Sequence, residues 1–268
     1  MSEHLDREAR RQGDLWNAAG DDWAELLAPT VSPVWGPLLD LARVTRSSRV
    51  LDVGCGSGEV LAQARFRGAT VSGLDLASTL LEIAGDRLPD ADLRIGDMKD
   101  LPFENDAFDA VVYLNSLMFA DDPVEALGEA HRVLAPDGRL AVALWAEKDI
   151  NEFRYVIQTL VSVLPEPPTG DGPFALSEPG VLETVIEDSG FEPVETRRLP
   201  APFTFVDSEH YLRAVLGMAP GQSVLRQVDE EAVTEALLEA GEKFRRDDGS
   251  YRFENTFQAV GAIPRDEQ

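Results

Sequence analysis

Residues Arg49-Val50-Leu51-Asp52-Val53-Gly54-Cys55-Gly56-Ser57-Gly58 run from an apolar, β-branched strand into glycine at every second position. Glycine has no Cβ and reaches positive φ without steric cost, so Gly54, Gly56 and Gly58 allow a tight loop whose backbone N–H groups meet a ligand before a helix starts near Glu59. A strand, a glycine turn and a helix N-terminus in that order make a nucleotide-type cofactor site. The spacing argues against two such sites. A dinucleotide loop reads G-x-G-x-x-G, whereas here Glu59 stands where the third glycine belongs and would set a carboxylate against a pyrophosphate. A P-loop needs a Gly-Lys-Ser/Thr that does not follow. Asp52 adds negative charge beside the loop, which suits a ligand with a cationic end and no phosphate.

Two further strands end in acids. Thr70–Asp75 reads as a strand closing on a carboxylate 21 residues after Gly54, the place where a ribose diol is held by two oxygens. The next, 92–96, ends at Asp97-Met98, where a carboxylate can accept from an adenine amine and a thioether can face the ring. Each aspartate taken alone is equally well read as a helix cap or turn residue. Three successive strands with acids at one sheet edge are harder to explain that way.

With these residues the chain resembles the class I S-adenosylmethionine-dependent methyltransferases, nearest the branch of the ubiquinone and menaquinone C-methyltransferases. The likeness rests on 50–58, on Gly73-Leu74-Asp75, on Gly96-Asp97-Met98, on 103–112 and on 132–142, in the family's order. Asp137 stands where the family often has a second glycine. The resemblance implies S-adenosyl-L-methionine as cofactor and S-adenosyl-L-homocysteine as product. It implies a cofactor site made of Asp52, Gly54, Cys55, Gly56, Gly58, Asp75, Leu76, Asp97, Met98 and Asn115, with Trp16 and Trp23 closing over it from the N-terminal segment. Leu117 and Met118 fall where relatives line cofactor and acceptor.

The hydrophobic pattern gives helices at 14–28, 33–45, 58–67, 77–88 and 122–134, alternating with strands at 49–54, 70–75, 92–96, 108–114 and 139–145. Such βαβ alternation means a doubly wound parallel sheet. Helices at 151–164 and 177–189, a Pro/Gly connector at 165–173, and strands near 191–199 and 252–261 bring the count to seven strands. By the resemblance the last strand runs antiparallel between the fifth and sixth. The expected fold is therefore an α/β Rossmann-like methyltransferase sheet with a helical cap. Residues 1–45 form N-terminal helices over the cofactor, 46–199 with 251–263 the core, and 200–250 a cap insertion with helices near 207–217 and 228–246.

The composition sets 49 acidic against 24 basic side chains, a formal charge of −25. Nucleic-acid binding needs a basic surface to displace counterions, so tRNA, rRNA and DNA are poor candidates. Cys55 is the single cysteine, its loop position calls for a small residue more than a nucleophile, and a reducing, cytoplasmic setting is expected. The N-terminus is charged and no apolar stretch approaches the ~20 residues of a membrane span. No His or Cys pairing marks a metal site. The sequence leaves monomer and homodimer both open.

The expected activity is methyl transfer to carbon or oxygen of a small, partly apolar metabolite, with proximity and desolvation supplying most of the rate. The rival readings are a cofactor-binding sensor or scaffold, and a cofactor-assisted cyclase or isomerase. His210, beside Tyr211 in the cap, is a weak candidate base; a plain solvent-facing helix position is the stronger reading. Trp145 serves equally as an acceptor-pocket wall or as core, while Phe174 and Tyr211 read more readily as core of the cap than as walls of an apolar acceptor pocket.

Overall fold

The computed structural model of the chain describes residues 7–18 and 20–265. The N-terminal helix α1 (Arg7–Asn17) is followed by a single turn α2 (Gly20–Asp22), a π-helical stretch over Trp23–Leu27, a 3-10 turn over Ala28–Val31 and α3 (Ser32–Leu41). The continuous helix expected over 14–28 is therefore broken. Asn17 is one cause, because its side-chain Oδ1 accepts from the Thr79 N–H at 3.0 Å. Gly20 is another, packed so close to Thr79 that a Cβ would lie 2.9 Å from its methyl.

The main unit then alternates: β1 (Arg49–Val53), α4 (Glu59–Phe66), β2 (Thr70–Asp75), α5 (Ser78–Arg87), β3 (Asp92–Ile95), β4 (Phe108–Leu114), α6 (Pro123–Val133) and β5 (Leu134–Trp145). Next come α7 (Arg154–Ser162), α8 (Val181–Asp188) and β6 (Phe191–Pro200). Strand order is β3-β2-β1-β4-β5-β9-β6, where β9 (Thr256–Pro264) pairs antiparallel with both β5 and β6 and the pairs among β1–β5 are parallel. This is the seven-stranded sheet with an antiparallel last strand that the sequence implies.

Strand side chains alternate between two buried layers, as the period-2 geometry of a strand requires. Val50, Ala141 and Ala143 face the layer holding Leu38, Leu39, Leu61 and Ala64 of α3 and α4. Leu51, Val53, Leu140 and Val142 face Leu127, Ala130, Leu182 and Ile186 of α6 and α8. Local capping agrees with this layout: Asp122 caps α6 by accepting from the Val124 and Glu125 N–H groups at 3.0 Å, with Pro123 at the first turn.

Between β6 and β9 lie β7 (Phe203–Phe205), α9 (Ser208–Leu216), α10 (Ala219–Leu225), α11 (Glu230–Gly241) and β8 (Tyr251–Phe253). The strand expected over 252–261 is thus two strands: β8 leaves the main sheet to pair with β7 as a separate ribbon. Asn255 makes the break. Its Oδ1 accepts from the Phe153 N–H at 3.0 Å, and its carbonyl accepts from the Ala201 N–H at 2.9 Å.

Gly73, in the middle of β2, shows how tightly the glycine loop is packed. A Cβ there would lie 2.7 Å from Cys55 Sγ, 2.8 Å from Leu61 Cδ1 and 3.0 Å from Leu93 Cδ2. Gly73→Ala is expected to cost about 1–3 kcal/mol by overpacking, read as a thermal midpoint lower by about 2–4 °C per kcal/mol. Adding Cys55→Ala should recover part of the loss; an unchanged midpoint in the single variant would contradict this packing.

Candidate functional site

The order β2-β1-β4 places the switch in winding direction between β1 and β4, and α/β sheets bind ligands in the crevice at that point. There β1 runs into Gly54, whose φ is +75° and where a Cβ would lie 2.3 Å from that of Ser116. The N–H groups of Gly54 and Cys55 both donate to the Leu74 carbonyl, at 2.7 and 3.0 Å. Ser116 Oγ donates to the Val53 carbonyl at 2.5 Å. The ends of β1 and β2 and the loop after β4 are thereby locked together, and they wall a cavity.

Gly56 also has positive φ (+53°), and among the described residues, chain neighbours aside, a Cβ there would meet only the indole nitrogen of Trp23, at 3.6 Å. Gly56 and Trp23 both line the cavity, so the loop backbone is bare toward it. Asp75 sits at the tip of β2, its Oδ2 accepting from the Gly56 N–H (2.8 Å) and its Oδ1 from the Ala77 N–H (2.9 Å). An ionised carboxylate offers about four acceptor sites, so capacity remains for a vicinal diol. Burial raises the Asp75 pKa, opposed by the N–H groups of Ala77 and Gly56. Behind the loop, Asp52 is buried with Oδ1 unpartnered, and its pKa is pushed well up by burial, then by Asp75 and Glu59. Carboxyl groups crowd this end of the cavity.

At the tip of β3, Asp97 turns its Oδ1 onto the Lys99 N–H (2.9 Å), and Met98 lines the wall. Lys99 Nζ pairs with Asp121 at 2.8 Å, both of them in the cavity wall. Asn115 lines the same cavity at positive φ (+53°), held by its N–H to the Ala143 carbonyl (2.9 Å); its Oδ1 is buried without a partner. Trp16 closes the opposite side, edge-on to Trp23 (4.9 Å between centroids) and to Phe119 (5.7 Å).

Of the expected cofactor residues, Gly54, Gly56, Asp75, Leu76, Asp97, Met98, Asn115, Trp16 and Trp23 line the cavity, while Asp52, Cys55 and Gly58 do not. Cys55 Sγ turns inward against Gly73, and burial, Asp75 and Asp52 hold its thiol protonated. Gly58 caps α4 and abuts Ala84. None of the expected acceptor residues lines this cavity. Leu117 is fully buried among the α6-side residues, and Met118 packs against both layers. Trp145 and Phe174 sit in an aromatic core, with Trp145 stacked on Phe153 and Phe257. Tyr211 stacks on Tyr251 and donates its hydroxyl to the Leu237 carbonyl. His210 stands edge-on to Phe205; its Nδ1 accepts from the Val206 N–H, and Nε2 is buried with no partner.

Sequence reasoning missed Ala9, Gln12, Lys99, Phe119 and Asp121 in the wall. Phe119 was legible in principle: the 3-10 turn Leu117–Phe119 buries Leu117 and leaves Phe119 for the cavity. Among the described residues no group of three His, Cys, Asp or Glu is placed to hold a metal ion, and no helix is long and apolar enough to cross a membrane.

Residues 51–142 match the methyltransferase domain family. The chain is 34% identical over 129 residues to the demethylmenaquinone methyltransferase of Renibacterium salmoninarum, covering 48% of this chain and 54% of that protein. It is 38% identical over 107 residues to the methyltransferase GfsG of Streptomyces halstedii, covering 37% of this chain and 38% of that one. It thus spans about half or less of the length of these relatives. In fold it is similar to the geranyl diphosphate C-methyltransferase of Streptomyces coelicolor, whose structure holds Mg²⁺, geranyl diphosphate and S-adenosylhomocysteine (TM-score 0.59, 16% identity, covering 97% of this chain and 99% of that one).

The buried Asp52 gives a pH test. Its folded-state pKa lies above its unfolded value of about 3.9, so it costs nothing below that value and costs stability as pH rises through the raised one. Asp52→Asn should therefore raise the thermal midpoint at neutral pH and lose that advantage toward pH 4. A midpoint difference constant with pH would contradict it.

Proposed function

From the premise that residues 51–142 form a class I S-adenosylmethionine-dependent methyltransferase domain, related to the quinone methyltransferase branch, we propose that this chain binds S-adenosylmethionine in the cavity at the strand tips and methylates carbon or oxygen of a small, partly apolar metabolite. The observation that carries the reading is the pairing of a bare glycine loop with Asp75 across the end of β1 and β2. The cofactor's sulfonium supplies an already activated methyl group. Asp75 accepts from the ribose hydroxyls, and Asp97 with Met98 receives the adenine. Asp52 and Asp75 favour a cationic over an anionic occupant. Trp16, Trp23 and Phe119 exclude water, and Asn115 offers its buried Oδ1 to a donor on the bound molecule.

The acceptor reading rests on the wall's aromatic character and on charge. Among the described residues the cavity is lined by Asp75, Asp97 and Asp121 against one cation, Lys99, which is itself paired with Asp121. A neutral or weakly acidic acceptor suits that wall better than a phosphorylated one. Among the described residues lining the cavity there is no histidine, and alignment and desolvation are the sources of rate this reading draws on.

Asp75→Ala should weaken S-adenosylhomocysteine binding by about 1.5–3 kcal/mol, as for a hydrogen bond to a charged group, in a folded protein; unchanged affinity would contradict the assignment. For the activity, methyl-labelled cofactor should transfer label to members of a panel of neutral phenols, quinols and polyketides, and none to RNA. Cofactor binding with no transfer to any class would favour the sensor or scaffold reading instead.

A further inference from the structure

Trp23 reaches the glycine loop from a segment that the insertion between β6 and β9 holds in place. Arg213 Nη2 on α9 donates to Asp22 Oδ1 at 2.6 Å. Gly217, just past α9, meets the same segment by backbone approach: a Cβ there would lie 3.0 Å from Asp22 Cβ and 3.3 Å from the Trp23 nitrogen. Arg226, just past α10, donates to the Asp14 carbonyl at 3.2 Å. Asp22 precedes the π-helical stretch Trp23–Leu27 and makes no side-chain cap bond to it; its carboxylate is turned to Arg213. π-Helical turns recur at functional sites because they redirect single side chains. The turn here sends the Trp23 indole to Gly56.

We infer that Arg213 and Gly217, outside the cofactor cavity, are positioning residues that set the Trp23 indole against the glycine loop and so couple the insertion to cofactor closure. The inference rests on the cofactor reading above. Arg213 does not line the cavity and bonds to Asp22, next to Trp23, so its effect is indirect, and the ion pair is exposed enough that geometry counts for more than its Coulomb energy. Coupling of this kind is reciprocal: whatever moves α9 changes closure over the cofactor, and a bound cofactor steadies α9.

The test compares wild type, Arg213→Ala, Gly217→Val and the charge swap Asp22→Arg/Arg213→Asp, with Trp23→Phe as the control background. It uses iodide quenching of tryptophan fluorescence in the ligand-free protein, titration with S-adenosylhomocysteine, and the thermal midpoint. Arg213→Ala should increase quenching and weaken S-adenosylhomocysteine about threefold to fivefold with little change in midpoint. Gly217→Val should do both more strongly. The charge swap should restore both, and Trp23→Phe should abolish the quenching difference. Wild-type quenching and affinity in Arg213→Ala, or failure of the swap to restore them, would overturn the inference. If wild type itself does not bind S-adenosylhomocysteine, the cofactor reading fails, and the quenching comparison alone still decides whether Arg213 positions Trp23.

Discussion

At the tip of β1 there is no room for a side chain: Gly54 lies against Ser116 at a separation a Cβ would reduce to 2.3 Å, and the Val53 carbonyl takes the Ser116 hydroxyl. The rest of the site depends on that contact. It draws the loop after β4 onto the end of β1, while the Gly54 and Cys55 N–H groups draw in the end of β2 through the Leu74 carbonyl. Only then does Asp75 come within 2.8 Å of the Gly56 N–H and Asn115 turn its side chain into the same cavity. The close approach also explains why the inner wall of the loop is small and apolar, with Cys55 seated where Gly73 leaves space.

The electrostatics follow from the same crowding. Desolvation raises both Asp52 and Asp75; Asp75 adds to the rise at Asp52, and both carboxyls add to that at Cys55. A fold that gathers carboxylates at a ligand loop gives up stability there as pH rises, and an incoming cation returns some of it. The overall charge of −25 lies in the same direction but acts more weakly, since exposed charges are screened over roughly 8–10 Å. Closer to the cavity, single pairs matter: Lys99–Asp121 lies in the wall, and Arg213–Asp22 holds the segment bearing Trp23.

Much of this was legible in the sequence because it is local. The β1 decapeptide, the acids ending β2 and β3, and the alternation of strands and helices all depend on residues within a few positions of one another. What was not legible depends on distant partners. The break after Asn17 comes from Thr79, more than sixty residues away. The β7–β8 ribbon joins two three-residue strands, too short for a period-2 pattern to show. Trp145 reads equally as pocket or core until Phe153 and Phe257 are seen against it, and the core reading favoured for Phe174 and Tyr211 is settled by Trp145 and Tyr251. His210, the weak candidate base, lies on a helix face turned to Phe205, away from the cavity.

The most direct measurement is a calorimetric titration of the folded protein, freed of carried-over ligand, with S-adenosylmethionine and S-adenosylhomocysteine at low and at molar salt. Saturable one-to-one binding of both ligands is expected. No heat and no saturation at either salt would contradict the assignment of the strand-tip cavity as a cofactor site and leave only the fold.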